Sequence, residues 1–150
     1  MKRPLLIAVA VIALLGVSLL VARWLHNDTV ERAKVVQLLE AQTRGDASAM
    51  LRRLEDCEDP ACVAVVRENA ERLRAGGDLK IALYQSQTAH ALSSRTRFTR
   101  VVWFTPGRLT TVQCVLVRRK GDVFAGMNVS LLRVTAPIGS QSSCPPNPAA

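Results

Sequence analysis

The chain reads as an α+β domain, three helices packed on a curved four-stranded antiparallel sheet, preceded by one transmembrane helix. Three observations predict this. Residues 97–135 form three runs rich in Val, Thr, Phe, Trp and Leu, separated by the turn dipeptides Pro106-Gly107 and Gly121-Asp122, which is the pattern of a meander. Residues 28–75 carry helical spacing punctuated by helix-start and helix-stop signals. Residues 4–22 carry no charge at all. The chain therefore divides into an anchor over 1–26, an exported domain over 27–135 and a Pro/Ser-rich tail over 136–150. Its 150 residues leave room for one small domain.

After Lys2 and Arg3, the uncharged stretch from Pro4 to Ala22 spans roughly 28 Å as a helix, close to the ~30 Å hydrocarbon core of a bilayer. Arg23 and Trp24 suit the interface, so the membrane is expected to take residues 4–25. The basic pair on the short end predicts a cytoplasmic N-terminus and an extracytoplasmic domain. The competing reading is a cleaved signal peptide, with small residues at Gly16-Val17-Ser18 and a mature start at Leu19. Against it, Leu19, Leu20 and Val21 continue the apolar run past that site.

Asp28-Thr29-Val30-Glu31 has the form of a capping box and predicts the start of the first helix, whose Ala33, Val35, Val36, Leu38 and Leu39 recur at helical spacing up to Gly45. Asp46 caps a short second helix with Met50, Leu51 and Leu54 on one side. Arg44-Gly45-Asp46 matches an integrin-binding tripeptide, but a helix stop followed by a cap accounts for it. Asp59-Pro60 opens a third helix running to Arg74-Ala75. The acidic run Glu55, Asp56, Glu58 and Asp59 sits where that helix's dipole favours negative charge, and it lacks the spacing of a Ca²⁺ loop.

Four cysteines behind an apolar N-terminus predict disulfides in an oxidising compartment. Cys57 and Cys62 are close in sequence and make one bridge, which leaves Cys114 with Cys144. Zinc held by these cysteines and His90 is the sharper alternative, but C-x4-C is not its usual spacing and the other ligands are scattered.

Leu79, Ile81 and Leu83 alternate with Lys80, Ala82 and Tyr84, giving a first strand ahead of the meander. A two-residue turn at Gly121-Asp122 pairs Leu116 with Met127, Cys114 with Val129 and Val112 with Leu131; the same count about Pro106-Gly107 pairs Val101 with Val112. One face then gathers Val101, Trp103, Val112, Cys114, Leu116, Met127, Val129 and Leu131 and is expected to lie under the helices. The opposite face, with Phe98, Val102, Phe104, Leu109, Val115 and Val117, is also apolar and asks for a cover, for which a homodimer through this outer face is the expectation. A one-residue slip of register would exchange the two faces.

Residues 27–78 carry eight Lys/Arg against eleven Asp/Glu, whereas residues 79–150 carry nine against one, so the sheet half is basic. Solvated edge protection accounts for Arg95, Arg97, Arg100, Arg108, Arg118, Arg119 and Lys120, with attraction to anionic head groups as a second reading. An exported domain without a spaced aromatic platform is expected to bind no nucleic acid. Catalysis is not expected either: His90, Tyr84 and the turn residue Asp122 are isolated, and no phosphate loop, triad order or metal motif occurs. No cofactor is expected.

The segment ERAKVVQLLEAQTRGDASAMLRRL, a helix ending in Gly-Asp with a short helix after it, followed by the strand run RFTRVVWFTPGRLTTVQCVLVRRKGDVFAGMNVSLLRV, resembles the nuclear transport factor 2-like superfamily of cystatin-like cone folds over residues 28–135. The resemblance implies a curved sheet wrapped around helices to leave a conical pocket. It also implies a dimer through the outer sheet face and, for anchored members, a protein partner in a membrane complex. Enzymes of that superfamily use an acid and a tyrosine inside the cone; no acid on the meander matches, so no catalytic residue carries over. The expected function is an anchored, non-catalytic interaction or scaffold domain. The alternative is a small-molecule or lipid-binding module with Trp103, Met127 and Tyr84 in its pocket, for which ordinary core packing is the plain alternative.

Overall fold

The computed structural model describes residues 2–88, 94–122 and 126–147. Helices α1 (Lys2–Thr43), α2 (Ala47–Leu51) and α3 (Pro60–Arg72) precede strands β1 (Lys80–Ser86), β2 (Arg95–Phe104), β3 (Thr111–Asp122) and β4 (Gly126–Val134). The strands form one antiparallel sheet in the order β1-β2-β3-β4, and the helices cover one face of it. The α+β class and the meander are as expected.

The first correction concerns the helix start at Asp28. α1 is continuous from the uncharged run into the domain, with no break at residues 27–30. A capping box stabilises a helix end by satisfying free N–H groups. Here the preceding residues are already helical, so there is no end to cap: Thr29 Oγ1 donates to the Leu25 carbonyl at 3.0 Å, and the Glu31 carboxylate turns to the sheet. Among the described residues no helix is long and apolar enough to cross a membrane. The apolar side chains described from Leu6 to Val21 are exposed to solvent. The side chains of Arg23 and Trp24, and the whole of His90, lie outside the described residues.

The helix signals further on operate as the sequence suggests. Gly45 takes φ 76°, its N–H donates to the Gln42 carbonyl and the Asp46 N–H reaches back to Ala41, closing α1 in a Schellman turn. Asp46 and Asp59 then cap α2 and α3 through their Oδ1 atoms, at 2.8 and 2.9 Å from the Ala49 and Cys62 amides. Both expected disulfides are present, Cys57–Cys62 and Cys114–Cys144, which removes the thiolates a zinc site would need.

The second correction is register. β2 and β3 pair Val101 with Gln113 and Val102 with Val112, one residue off the expected count. β3 runs on through Gly121 to Asp122, which pairs with Gly126, so the reversal falls at residues 123–125, outside the described residues, and Val117 rather than Val112 faces Leu131. The slip exchanges the faces of β3. Val115 and Val117 join Val101, Trp103, Val129 and Leu131 under the helices, while Cys114 and Leu116 lie with Phe98 and Leu132 on the other side.

That outer face has a cover of its own. The Pro/Ser-rich tail crosses it as a strap. The Thr135 and Ile138 amides donate to the Cys114 and Val112 carbonyls, Ile138 and Cys144 pack on the outer cluster, Arg100 Nη2 donates to the Ser140 carbonyl, and Asn147 Oδ1 accepts from the Phe98 amide. The tail thus covers part of the face on which a dimer was expected, over Phe98, Cys114, Leu116 and Leu132, while Leu109 stays exposed. On the edges, the Glu55 amide bonds the Leu131 carbonyl of β4, whereas β1, among the described residues, pairs with β2 alone.

Candidate functional site

On α1 the residues at 31, 35, 38 and 42 follow helical spacing, and all four are fully buried against the sheet. The middle two are Val35 and Leu38, but the ends of the stripe are Glu31 and Gln42. On β3 the inward positions 113, 115, 117 and 119 alternate as a strand should, and they too run polar, apolar, apolar, polar: Gln113, Val115, Val117, Arg119. The two elements pack with like ends together, so each polar end meets its chemical complement.

At one end the Glu31 carboxylate accepts five hydrogen bonds. Oε1 takes the Tyr84 hydroxyl and the Thr99 hydroxyl, each at 2.9 Å. Oε2 takes the Thr88 hydroxyl at 2.5 Å and Arg119 through Nε at 2.9 Å and Nη2 at 2.6 Å. Arg119 Nη2 also donates to Asp28 Oδ1 at 2.6 Å, while Nη1 is buried with no partner among the described residues. Burial alone would raise the Glu31 pKa, but the Thr88 and Ser86 hydroxyls and the Arg119 guanidinium outweigh it and hold the carboxyl below its ordinary range. Burial, reinforced by the Glu31 charge, pushes the Tyr84 phenol well up, so it stays protonated and donates.

The opposite end is neutral. Gln113 Oε1 accepts from Gln42 Nε2 at 2.8 Å and from Trp103 Nε1 at 2.9 Å, and Gln113 Nε2 donates to the Thr135 carbonyl at 3.0 Å.

A cleft of about 550 Å³ opens beside the charged end, lined by Leu25, Asp28, Glu31, Arg32, Tyr84 and Arg119 among others. Exposed Arg32 lies over the Tyr84 ring, 5.9 Å from its centroid. A second cavity of about 350 Å³ lies at the far end of the sheet and takes in Trp103, Thr105 and Arg108. The three residues expected to share a pocket are therefore separated: Tyr84 lines the first cavity, Trp103 the second, and half-buried Met127 pairs with Gly121 at the start of β4.

Arg119 is the main departure from the expected roles, since a residue assigned to a solvated edge is 1% exposed and forms the centre of a buried network. Its neighbour Arg118 is also not on an edge, since β3 is an inner strand, but it stays partly exposed and pairs with Glu55 and Asp56 at 2.9 Å. The missed signal was the helical stripe itself, because extending it from Leu38 and Val35 by one turn lands on Glu31.

Chemically, the acid and the tyrosine of the charged end are in contact, yet every lone-pair direction of the acid is taken by a donor, which suits it to hold a cation and not to remove a proton. Among the described residues no three His, Cys, Asp or Glu side chains converge as a metal site would require. No family model, curated protein or solved structure matches the chain.

Proposed function

We propose that this protein is a membrane-anchored extracytoplasmic interaction domain without catalytic activity, held by residues 4–25 with its N-terminus in the cytoplasm, and with a cone-like arrangement of helices and sheet. The observation that carries the reading is the continuity of α1. One helix bears an uncharged, solvent-exposed apolar run and, further along, the buried stripe that ties it to the sheet. A charge-free helical run of that length is stable in lipid and costly in water. Because the same helix enters the core, the anchor and the domain form one lever, suited to presenting a surface to a membrane-complex partner at a fixed height. Two disulfides suit an oxidising exterior. The saturated hydrogen bonding of Glu31, with its pKa lowered, argues against a general base there.

Alkaline carbonate extraction of membranes from cells making the full chain, followed by protease treatment of intact spheroplasts, tests this. The chain is expected in the pellet with its domain digested from outside. Release by carbonate, or a domain shielded until lysis, would overturn the reading. A binding module is the second reading, and the observation favouring it is the cleft beside Asp28 and Arg119, which takes in Tyr84 but neither Trp103 nor Met127.

A further inference from the structure

The charges of the domain are unevenly placed along the direction of its strands. Arg119 of β3 reaches Asp28 of α1 at 2.6 Å, and Gln113 of β3 meets Gln42 of α1 at 2.8 Å. Between those contacts α1 advances roughly 20 Å while β3 returns over a similar length. The two elements therefore run antiparallel, and the last residues of β3 lie level with the residues of α1 that follow the apolar run. Arg95 pairs with Arg119, and Lys120 is one residue further in the same direction. Asp28 stands roughly 9 Å beyond Ala22 along the helix axis. With the apolar run ending at the hydrocarbon boundary, a premise that rests on the anchored reading, Arg95 and Lys120 stand at or just above a headgroup layer roughly 5–8 Å thick.

This end of the domain is positive. Its acids Asp28 and Glu31 are both engaged by Arg119 and so are answered inside the protein. Exposed Arg32, Arg95 and Lys120 and half-buried Arg97 have no acidic partner among the described residues. Asp122 is the single acid that the sequence places between residues 79 and 150, too few to balance them. The far end is mixed, because exposed Lys80 and Arg108 share it with exposed Asp46 and Asp78. The basic excess thus lies at the end where the uncharged helical run leaves the fold.

We propose that this end of the sheet docks on anionic phospholipid headgroups, with Arg95, Arg97 and Lys120 set against the surface of the membrane that holds α1. The separation is within a Debye length of about 8–10 Å, so the attraction is not screened away. Each Lys or Arg close to such a surface strengthens the contact about fivefold. A single helix fixes depth but leaves the domain free to turn about the helix axis. The sheet lies on one side of α1, so drawing its basic end down sets which face of the domain points away from the membrane. A neutral lipid surface offers no such pull. A soluble polyanion answers the charge but not its position, which is beside the apolar run.

The test acetylates the lysines of the full chain in nanodiscs, one set of phosphatidylcholine alone and one of equal parts phosphatidylcholine and phosphatidylglycerol, and reads each site by peptide mass spectrometry. Lys120 reports the proposed surface, and Lys80, exposed at the far end, is the internal reference. Labelling of Lys120 relative to Lys80 is expected to fall about fivefold or more in the anionic discs. It should recover in about 1 M salt, where the Debye length is ~3 Å. Arg95→Gln together with Arg97→Gln should restore most of the labelling in anionic discs, whereas Arg72→Gln, at an exposed site on α3, should not. An unchanged Lys80 rate reports that each variant keeps its fold. Equal labelling of Lys120 in the two kinds of disc, or protection that survives high salt or the double variant, overturns the proposal and leaves the anchor standing. Protection by a short DNA duplex added to phosphatidylcholine discs, with none from phosphatidylglycerol, would assign the surface to a soluble polyanion and overturns it too. A chain that stays outside the discs overturns the anchored reading and this inference together.

Discussion

The two ends of the α1–β3 contact do the same structural task with different chemistry. At the end nearer the start of α1 Glu31 meets Arg119, both buried, with hydroxyls of Tyr84, Thr88 and Thr99 completing the carboxylate's shell. At the distal end Gln42 meets Gln113, with Trp103 and the Thr135 carbonyl completing the amide's shell. Two charges have been taken out of water at one end and none at the other. The intact ends can contribute similar net stability, since the gain from a buried ion pair is offset by desolvation. They differ in what happens when one partner is lost, because an orphaned charge costs far more than an orphaned amide. The charged end stands where α1 leaves the domain, so it fixes the direction of the helix as well as its contact. A directional set of five donors on one carboxylate tolerates little rotation of the helix.

The largest expected effect breaks the charged end. Arg119→Ala leaves Glu31 ionised and buried and should cost about 3–5 kcal/mol in denaturant unfolding of the full chain in micelles. Replacing both partners together, Glu31→Leu with Arg119→Met, should recover part of that loss; a double variant no better than the single would show that packing, not the stranded charge, dominates.

The neutral end is expected to give way more cheaply. Gln113→Leu strands the Gln42 amide and the Trp103 N–H and should cost about 1–3 kcal/mol by the same measurement. A loss equal to that of Arg119→Ala would erase the distinction between the ends.

Adjacent arginines sharpen the comparison further. Arg118 pairs with Glu55 and Asp56 in partial contact with solvent, so Arg118→Ala should cost no more than about 1 kcal/mol. The contrast with Arg119 then measures burial directly, one residue apart in the chain.

The smallest expected effect within the ordinary pH range is titration. The folded Glu31 pKa is lowered, so its contribution is fully present above the ordinary carboxylate range and is lost as pH falls below that range toward the folded value. The thermal midpoint should fall on acidification, and Glu31→Gln should flatten that slope without changing it above neutrality. On the alkaline side, Tyr84 has a raised pKa, so stability should decline as pH rises above the ordinary phenol value near 10. Tyr84 is the chain's one tyrosine. Tyrosinate absorbance should therefore appear with unfolding, and titration near pH 10 in the native protein would contradict its burial.

Much of this protein was legible because local chemistry is short-ranged. Gly45, Asp46, Asp59 and Pro60 act on neighbours within five residues, so stops and caps could be read from spacing. The meander and the local Cys57–Cys62 bridge were legible for the same reason. Tertiary structure alone decided the rest. Asp28 and Glu31 look like a cap until the preceding helix is present, and Arg119 looks like a surface residue until Glu31 lies opposite it. Register followed from those distant pairings: the polar residues Gln113 and Arg119 belong to the inner face only because partners 71 and 88 residues away satisfy them. A count of apolar positions cannot see a partner that distant. By itself the sequence determined which residues prefer helix, strand or turn; only the packed structure determined which polar residues could afford to be inside, because desolvation is offset by contacts that sequence spacing does not encode.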